Sequence, residues 1–279
     1  MTQKIAPTIG IVAISKNEEI DMPHFLRHIV DWVDEVIVVD DGSTDSTKEI
    51  VLSFGPKVKL VEQKMDLKNG GFARQRNRGI QEATSEWLLH MDIDERITPS
   101  FAREVKVAIQ NTKFNAYRYR RLNFFLNRPM KGGGLQDWNN PQLARRGFHR
   151  FENSVHETCA IDGIPLRIGQ LNGQMWHLND ESYLERMTKS MVYCQNQAIR
   201  LVKSGKRIKW HHLLLIPLSE FFYKFFWKAG FKDGVVGLLW SLHASSSMFR
   251  ACSIVWDEQN RLSRYSIENK IQNMINNSK

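Results

Sequence analysis

Cysteine is scarce in this chain: only Cys159, Cys194 and Cys252 occur, widely spaced and odd in number. No pair stands as Cys-x-x-Cys, so neither a disulfide framework nor a cysteine-based metal site is implied, and a reducing, cytosolic setting fits. Long apolar runs are missing too. The opening MTQKIAPTIGIVAIS is too short in its apolar part for a signal peptide and is expected to begin a strand. The most apolar segment, 213–230 (LLLIPLSEFFYKFFWKAG), contains Pro217 and charged residues. A helix from Leu213 to Trp227 would reach only roughly 22 Å, short of a membrane core. Acid is in deficit: 30 Asp and Glu stand against 39 Lys and Arg, a net charge of +9. That balance asks for an acidic partner, such as a phosphorylated sugar, an anionic membrane or nucleic acid. No zinc-finger spacing, RNP-like aromatic pattern or like-charge tail accompanies it, so nucleic acid is not the expected partner.

What is present is an alternation. With 279 residues and 42% hydrophobic content, the chain has room for one large domain, or for one domain with a helical appendage. Thr8–Ser15, Val36–Val39, Val58–Val61 and Trp87–Met91 read as strands. Between them Phe25, Leu26, Ile29 and Val30 share a helix face, and Thr47–Leu52 and Phe72–Ala83 read as further helices. Strands alternating with helices predict a parallel α/β sheet, whose ligands lie outside the carboxyl ends of the strands. After a helix opened by Thr98 and Pro99, Ala116–Phe125 reads as a strand and Lys131–Asn140 (KGGGLQDWNN) as a glycine-rich loop. Residues 181–204 read as an amphipathic helix, with Tyr183, Met187, Met191, Cys194, Ala198 and Leu201 at helical spacing and Gly205 to stop it.

Three polar motifs fall at predicted strand ends. ISKNEE (14–19) follows the first strand, VVDDGSTDST (38–47) closes the second, and LLHMDIDERITP (88–99) closes the fourth. The second taken alone could be a turn with an N-cap at Ser43 or Thr44. The third could be a solvated strand end before a helix cap. Their shared position at one edge favours a site instead. A buried strand that ends on Asp92 and Asp94 delivers two carboxylates rigidly to one point, where few carboxylates and a ligand's phosphates can share a Mg²⁺ or Mn²⁺.

This ordered set resembles the family 2 glycosyltransferases over residues 8 to about 180. The resemblance implies an α/β GT-A fold, a mixed nucleotide-sugar-binding sheet flanked by helices, and an inverting transfer from a UDP-hexose, with glucose the expected sugar. It implies donor contacts at Asn17 and Glu18, Asp41 against the uracil, Asp92 facing the ribose, and Asp94 on a divalent metal bridging the phosphates. GGFARQRNRGI (70–80) adds Gln75, Arg76 and Asn77 near the donor. LARRGFHRFENSVHETCAIDG (143–163) and the later MWHLNDESYLERMTKSMVY resemble the lipopolysaccharide inner-core glucosyltransferases, which place a β-linked hexose on heptose. A lipid-linked, phosphorylated glycan acceptor suits the basic charge. Acceptors in capsule, teichoic acid or protein glycosylation are alternatives. A nucleotidyltransferase would usually carry a glycine-rich, Arg/Lys-containing loop after the first strand, where this chain has SKNEE. A non-catalytic sugar-nucleotide-binding module would be expected to lack the metal pair or a base.

An inverting transfer needs a group to take the acceptor hydroxyl's proton. Glu157 is the candidate base and Asp137 the other; a salt bridge from Glu157 to Arg145 or Arg150 is the bland alternative. His156 either orients Glu157, ligates metal or is a satisfied polar residue. His177 follows Met175-Trp176 and is either a metal ligand or a buried structural histidine. The expected domains are 1–180, the transferase sheet, and 181–279, a helical region. In the latter, 213–230 is either a helix packed on the sheet or one lying in a membrane interface, with Trp210, Trp227, Lys209, Lys224 and Lys228 at headgroup depth. That second reading places the protein peripherally on the inner face of the cytoplasmic membrane.

Overall fold

Val, Ile and Leu dominate the short strands between Ile9 and Met91, and almost every residue of Ile9–Ser15, Glu35–Asp40 and Trp87–Met91 is buried, as parallel strands covered on both faces require, while Val58–Glu62 at the sheet edge buries only Val58 and Val61. The structure, a computed structural model, describes residues 6–135, 141–154, 157–163 and 167–277. Its first unit comprises residues up to Phe124 together with Leu135–Asn179. In chain order it runs β1 (Ile9–Ser15), α1 (Met22–Ile29), β2 (Glu35–Asp40), α2 (Thr47–Ser53), β3 (Val58–Glu62), α3 (Gly71–Glu82), β4 (Trp87–Met91), β5 (Glu95–Ile97), α4 (Pro99–Ala108) and β6 (Ala116–Phe125). Beyond the two-residue β7 (Arg128–Pro129), which belongs to the second unit, it resumes with β8 (Leu143–Arg145), β9 (His149–Glu152), β10 (Thr158–Ile161) and β11 (Ile168–Asp180).

The main sheet has the order β3-β2-β1-β4-β8-β6-β11-β5. β3, β2, β1 and β4 are parallel, β8 joins β4 antiparallel, and β11 pairs antiparallel with β5. This is the mixed α/β sheet flanked by helices that the resemblance implies. Alternate side chains of β2 feed two cores. Val36 and Val38 join Phe25, Leu26, Trp87 and Leu89 on one face, and Ile37 and Val39 join Val12, Val61 and Leu88 on the other. The chain moves outward from β1 through β2 to β3, then returns to the other side of β1 with β4. That reversal opens a crevice beyond the ends of β1 and β4.

Helix α4 starts where Thr98 and Pro99 predicted, the Thr98 hydroxyl accepting from Phe101 N at 3.2 Å. α3 lies unusually close to the sheet because of Gly79: a Cβ there would sit 2.3 Å from Val12 Cγ1 and 3.3 Å from Val39 Cγ2. Gly79→Leu should therefore overpack this contact and lower stability by about 1–3 kcal/mol. An unchanged urea midpoint would refute the close approach.

The second unit comprises Phe125–Gly134 and Asp180 onward. The stretch 125–134, assigned from sequence to the first domain, thus groups with the helices. Asp233 explains why: its carboxylate accepts from Lys131 N at 2.9 Å and Gly132 N at 2.8 Å, and Trp240 Nε1 donates to Gly133 O at 3.0 Å. The helices are α5 (Tyr183–Lys203), α6 (His212–Phe222), α7 (Gly234–Asn260) and α8 (Arg264–Asn276). A π-helical turn (Tyr223–Trp227) and a 3-10 turn (Gly230–Asp233) join α6 to α7. Ala198, Ile208, Ala251, Cys252 and Val255 form the small core of α5, α6 and α7.

Two expectations are corrected here. Of the α5 stripe only Cys194 and Ala198 are buried, while Tyr183, Met187 and Met191 are 38–52% exposed, because α7 covers only the face of Ser190, Cys194 and Ala198. The 213–230 segment is helical from His212 to Trp227, its last turn a π-helix, but it is not buried as a core helix would be. Leu214, Leu215, Leu218, Phe222, Phe226 and Trp227 are all more than half exposed.

Candidate active site

The site grows from the turn that follows β4. Glu95 N donates to Asp92 O at 3.0 Å, a tight turn that sends the chain back into β5 with Asp92 and Asp94 on its outer side. Glu95 itself points inward and is fully buried. It accepts from Asp92 N at 2.9 Å and pairs with Arg121 at 2.5 Å. Burial raises its carboxyl to about 7 against the pull of Arg121. Asp92 receives Arg76 at 2.6 Å and Arg121 at 3.4 Å. Burial pushes its carboxyl up, but the two guanidiniums outweigh that and hold it down at about 2.

β11 supplies the third member. His177 is the register partner of Glu95, and Leu178 N donates to Asp94 O at 2.9 Å. His177 Nε2 therefore lies 3.1 Å from Asp94 Oδ2. One ligand atom from each of Asp92, Asp94 and His177 falls within 4.8 Å of the others. The tautomer of His177 follows from its neighbour. The Asn123 amide nitrogen donates to Leu135 O, which leaves Asn123 Oδ1 as the acceptor for His177 Nδ1–H at 2.8 Å. The Nε2 lone pair then faces the Asp94 carboxylate, two ligand atoms turned toward one point. A hydrogen-bonded Nδ1 behind a free Nε2 is the usual support of a metal-bound histidine. Two carboxylate oxygens and one imidazole are a donor set that would suit a divalent ion and leave positions for a ligand's phosphates.

Across the crevice, Arg76 is buried between two carboxylates, with Nη2 on Asp92 and Nε 2.9 Å from Glu157 Oε1. Burial lowers and the two carboxylates raise its ionisation, which ends well above the ordinary arginine value. Its Nη1 is buried with no hydrogen-bond partner among the described residues. Glu157 thus pairs with Arg76, while Arg145 pairs with Glu86 and Arg150 with Glu152 and Asp162. Gln75 is buried beside Arg76, its amide nitrogen on Gln63 O and its Oε1 without a partner among the described residues. Asp41 accepts from Lys16 at 2.9 Å and from Met65 N. Burial pushes its carboxyl up, but these bonds prevail and hold it below the usual value.

Three residues expected at the donor serve the frame in this structure. Asn17, at φ +55°, accepts from Thr44 N through its side-chain Oδ1 and donates its backbone N–H to Ser43 Oγ, both at 2.8 Å. Glu18 N donates to Thr47 Oγ1 at 2.7 Å. Both stitch the loop after β1 to the turn after β2. Asn77 gives both ends of its amide to the backbone of Phe151, each at 2.8 Å, and so holds β9 on α3. Asp137 and His156 lie outside the described residues. Arg121 and Asn123 escaped the sequence reading. Their signal was the alternation in AYRYRRLNFF, which puts Tyr117, Tyr119, Arg121 and Asn123 on one face of β6.

One position before Met91, His90 is fully buried with its Nε2 2.9 Å from His149 Nε2. Burial, the second imidazole and Arg76 hold His90 well below the ordinary 6.5, and burial lowers His149 as well. Folded, both stay neutral; unfolded, both bind protons below their ordinary value. Stability is thus complete above pH 6.5 and is lost as pH falls below it. The melting temperature should drop between about pH 7.5 and about 5.5; a flat calorimetric profile over that range would count against this pair.

Residues 10–162 match the family model described as glycosyl transferase family 2. An uncharacterized glycosyltransferase of Rickettsia conorii is 26% identical over 253 residues, 87% of each chain. The lipopolysaccharide core biosynthesis glycosyltransferase LpsC of Rhizobium meliloti is 23% identical over 231 residues, covering 77% of this chain and 83% of that one. Among solved structures, S. aureus TarS superposes with a TM-score of 0.47 at 16% identity, over 82% of this chain and 46% of that protein. The chain therefore spans about half of TarS.

Proposed function

The chain belongs to the family 2 glycosyltransferases, and from that premise we propose that it moves a hexose, glucose by preference, from a UDP-sugar to a lipid-linked glycan of the lipopolysaccharide inner-core type. The observation that carries the reading is the meeting of Asp92, Asp94 and His177 at the end of β4, with the His177 lone pair turned to Asp94. These three residues would hold Mg²⁺ or Mn²⁺, which when bound neutralises the diphosphate of the leaving group. Asp41 would contact the uracil, Gln75 the donor, and Asp92 would stand at the ribose side of the same point.

The acceptor hydroxyl attacks the anomeric carbon in line, opposite the departing UDP. The C–O bond forms as the bond to the β-phosphate oxygen breaks, and the hydroxyl proton passes to Glu157. Arg76 contacts both Glu157 and Asp92, so one guanidinium sets the distance between base and donor end. The name of the LpsC relative and the 143–163 motif support the acceptor class. Because such acceptors are membrane-bound, the reaction would sit at the inner face of the cytoplasmic membrane. No helix among the described residues is long and apolar enough to cross one.

The test is incubation with a panel of radiolabelled sugar nucleotides and core-truncated lipid acceptors, with and without Mn²⁺. Label appearing on a heptose-terminated core from UDP-glucose is expected. Transfer from another nucleotide sugar only, or to none of these acceptors, would overturn the donor or the acceptor respectively.

A further inference from the structure

The second unit presents an apolar face of unusual make-up. Leu214, Leu218, Phe222 and Phe226 follow one another at four-residue spacing along α6 and the π-helical turn, all 51–63% exposed. The Phe222 and Phe226 rings stack with centroids 5.6 Å apart. Beside them Trp227 is 82% exposed, and Trp210, just before α6, is 74% exposed. A contiguous patch of this kind on a single chain marks an interaction surface.

Charge identifies the occupant. Between Lys206 and Lys232 the chain carries six cations (Lys206, Arg207, Lys209, Lys224, Lys228 and Lys232) against one carboxylate, Glu220. Lysine is depleted from surfaces that pair protein with protein, whereas lysines flanking exposed Trp and Phe suit a lipid headgroup layer. Lys224 and Lys228 both lie over the Tyr223 ring, at 5.9 and 5.6 Å from its centroid. Both contacts are made by the ammonium groups themselves, cation over aromatic face.

The face is also rigidly backed. Lys228 N closes the π-helical turn on Tyr223 O at 2.8 Å, and Lys228 O accepts from Gly133 N at 2.8 Å. Glycine is required for so close a seat: a Cβ on Gly132 would lie 2.2 Å from Ala229 O. With Asp233 holding Lys131 and Gly132 from below, Phe226 and Trp227 are presented in a fixed geometry, which reduces the ordering cost of binding.

We propose that the surface formed by α6 and the π-helical turn docks on an anionic lipid bilayer, with Phe222, Phe226 and Trp227 inserted and Lys209, Lys224, Lys228 and Lys232 at the phosphates. This deepens the reading of a lipid-linked acceptor and rests on it only for the purpose of the contact. The test is co-sedimentation of the full chain with vesicles of phosphatidylcholine alone or mixed with phosphatidylglycerol. Wild type should pellet with the anionic vesicles only, and added salt should release it. Each lysine within a Debye length contributes about five-fold to partition, equivalent to about 1 kcal/mol. Lys209→Glu, Lys224→Glu and Lys228→Glu together should thus weaken binding by at least about 100-fold.

A Phe226→Ser/Trp227→Ser variant, altered only at exposed side chains, should lose vesicle binding while still binding UDP with Mn²⁺ by titration calorimetry. If wild type ignores anionic vesicles at low salt, the proposal is wrong. It is equally wrong if wild type self-associates through this face, with the same double variant becoming monomeric and neither binding vesicles. Failure of UDP to bind while vesicles still do would leave the surface standing and count against the transferase reading alone.

Discussion

Asp94→Ala should abolish the metal dependence of UDP binding and reduce transfer by on the order of 10²–10³-fold, the scale for losing a fixed charge-stabilising contact in a dry site. Asp94 is the cleanest member of its cluster to remove. Its side chain is one-third exposed and pairs with His177 at 3.1 Å, so the fold should keep its melting temperature. Asp92 would be a poor choice, since its loss strips a carboxylate from buried Arg76 and from Arg121 and leaves buried positive charge uncompensated. The measurement is isothermal titration of UDP into wild type and variant, with Mn²⁺ and with chelator, beside initial rates of transfer. Wild type should bind UDP more tightly with the metal, and Asp94→Ala should bind alike in both conditions. A variant with wild-type affinity and rate in Mn²⁺ would remove Asp94 from the metal site.

The second large effect concerns the base. Glu157→Gln should leave the apparent affinity for the UDP-sugar near wild type while lowering kcat by about 10²–10⁴-fold, the usual range for a general base. The choice of glutamine matters because of Arg76. Glu157 Oε1 accepts from Arg76 Nε at 2.9 Å, and an amide oxygen can keep that bond. The arginine stays seated and the Asp92 contact is preserved. Alanine would instead leave Arg76 half-compensated in a buried position, and any loss would mix chemistry with structure. A loss confined to kcat, with UDP-sugar affinity retained, is a split that a merely structural role would not produce. A kcat within a few-fold of wild type would move the proton-accepting role to Asp137.

The strands were legible because their cause is local. Trp87–Met91 and Ala116–Phe125 occur with the boundaries read from sequence, since a short apolar run closed by a carboxylate and an in–out alternation are both patterns of a strand. The crevice was legible for the same reason: Asn17, Asp41, Asp92 and Asp94 each follow a strand, and parallel strands in one sheet bring their carboxyl ends to one edge. Residue type and position alone thus placed these side chains after strands of one sheet.

What each side chain does there was decided by partners distant in sequence. Glu157 meets Arg76 across 81 positions, in place of the nearby Arg145 or Arg150 that spacing suggested. Asn77 looks like a donor contact until β9 folds over α3 and takes its amide. His177 acquires its tautomer from Asn123, 54 positions away, once β6 and β11 lie together. The helical stripes of α5 and of 213–230 show the same division. Periodicity states which side chains share a face, but burial depends on whether another element arrives to cover that face. Only α7, packing along Cys194 and Ala198 and leaving Phe222, Phe226 and Trp227 bare, made that decision.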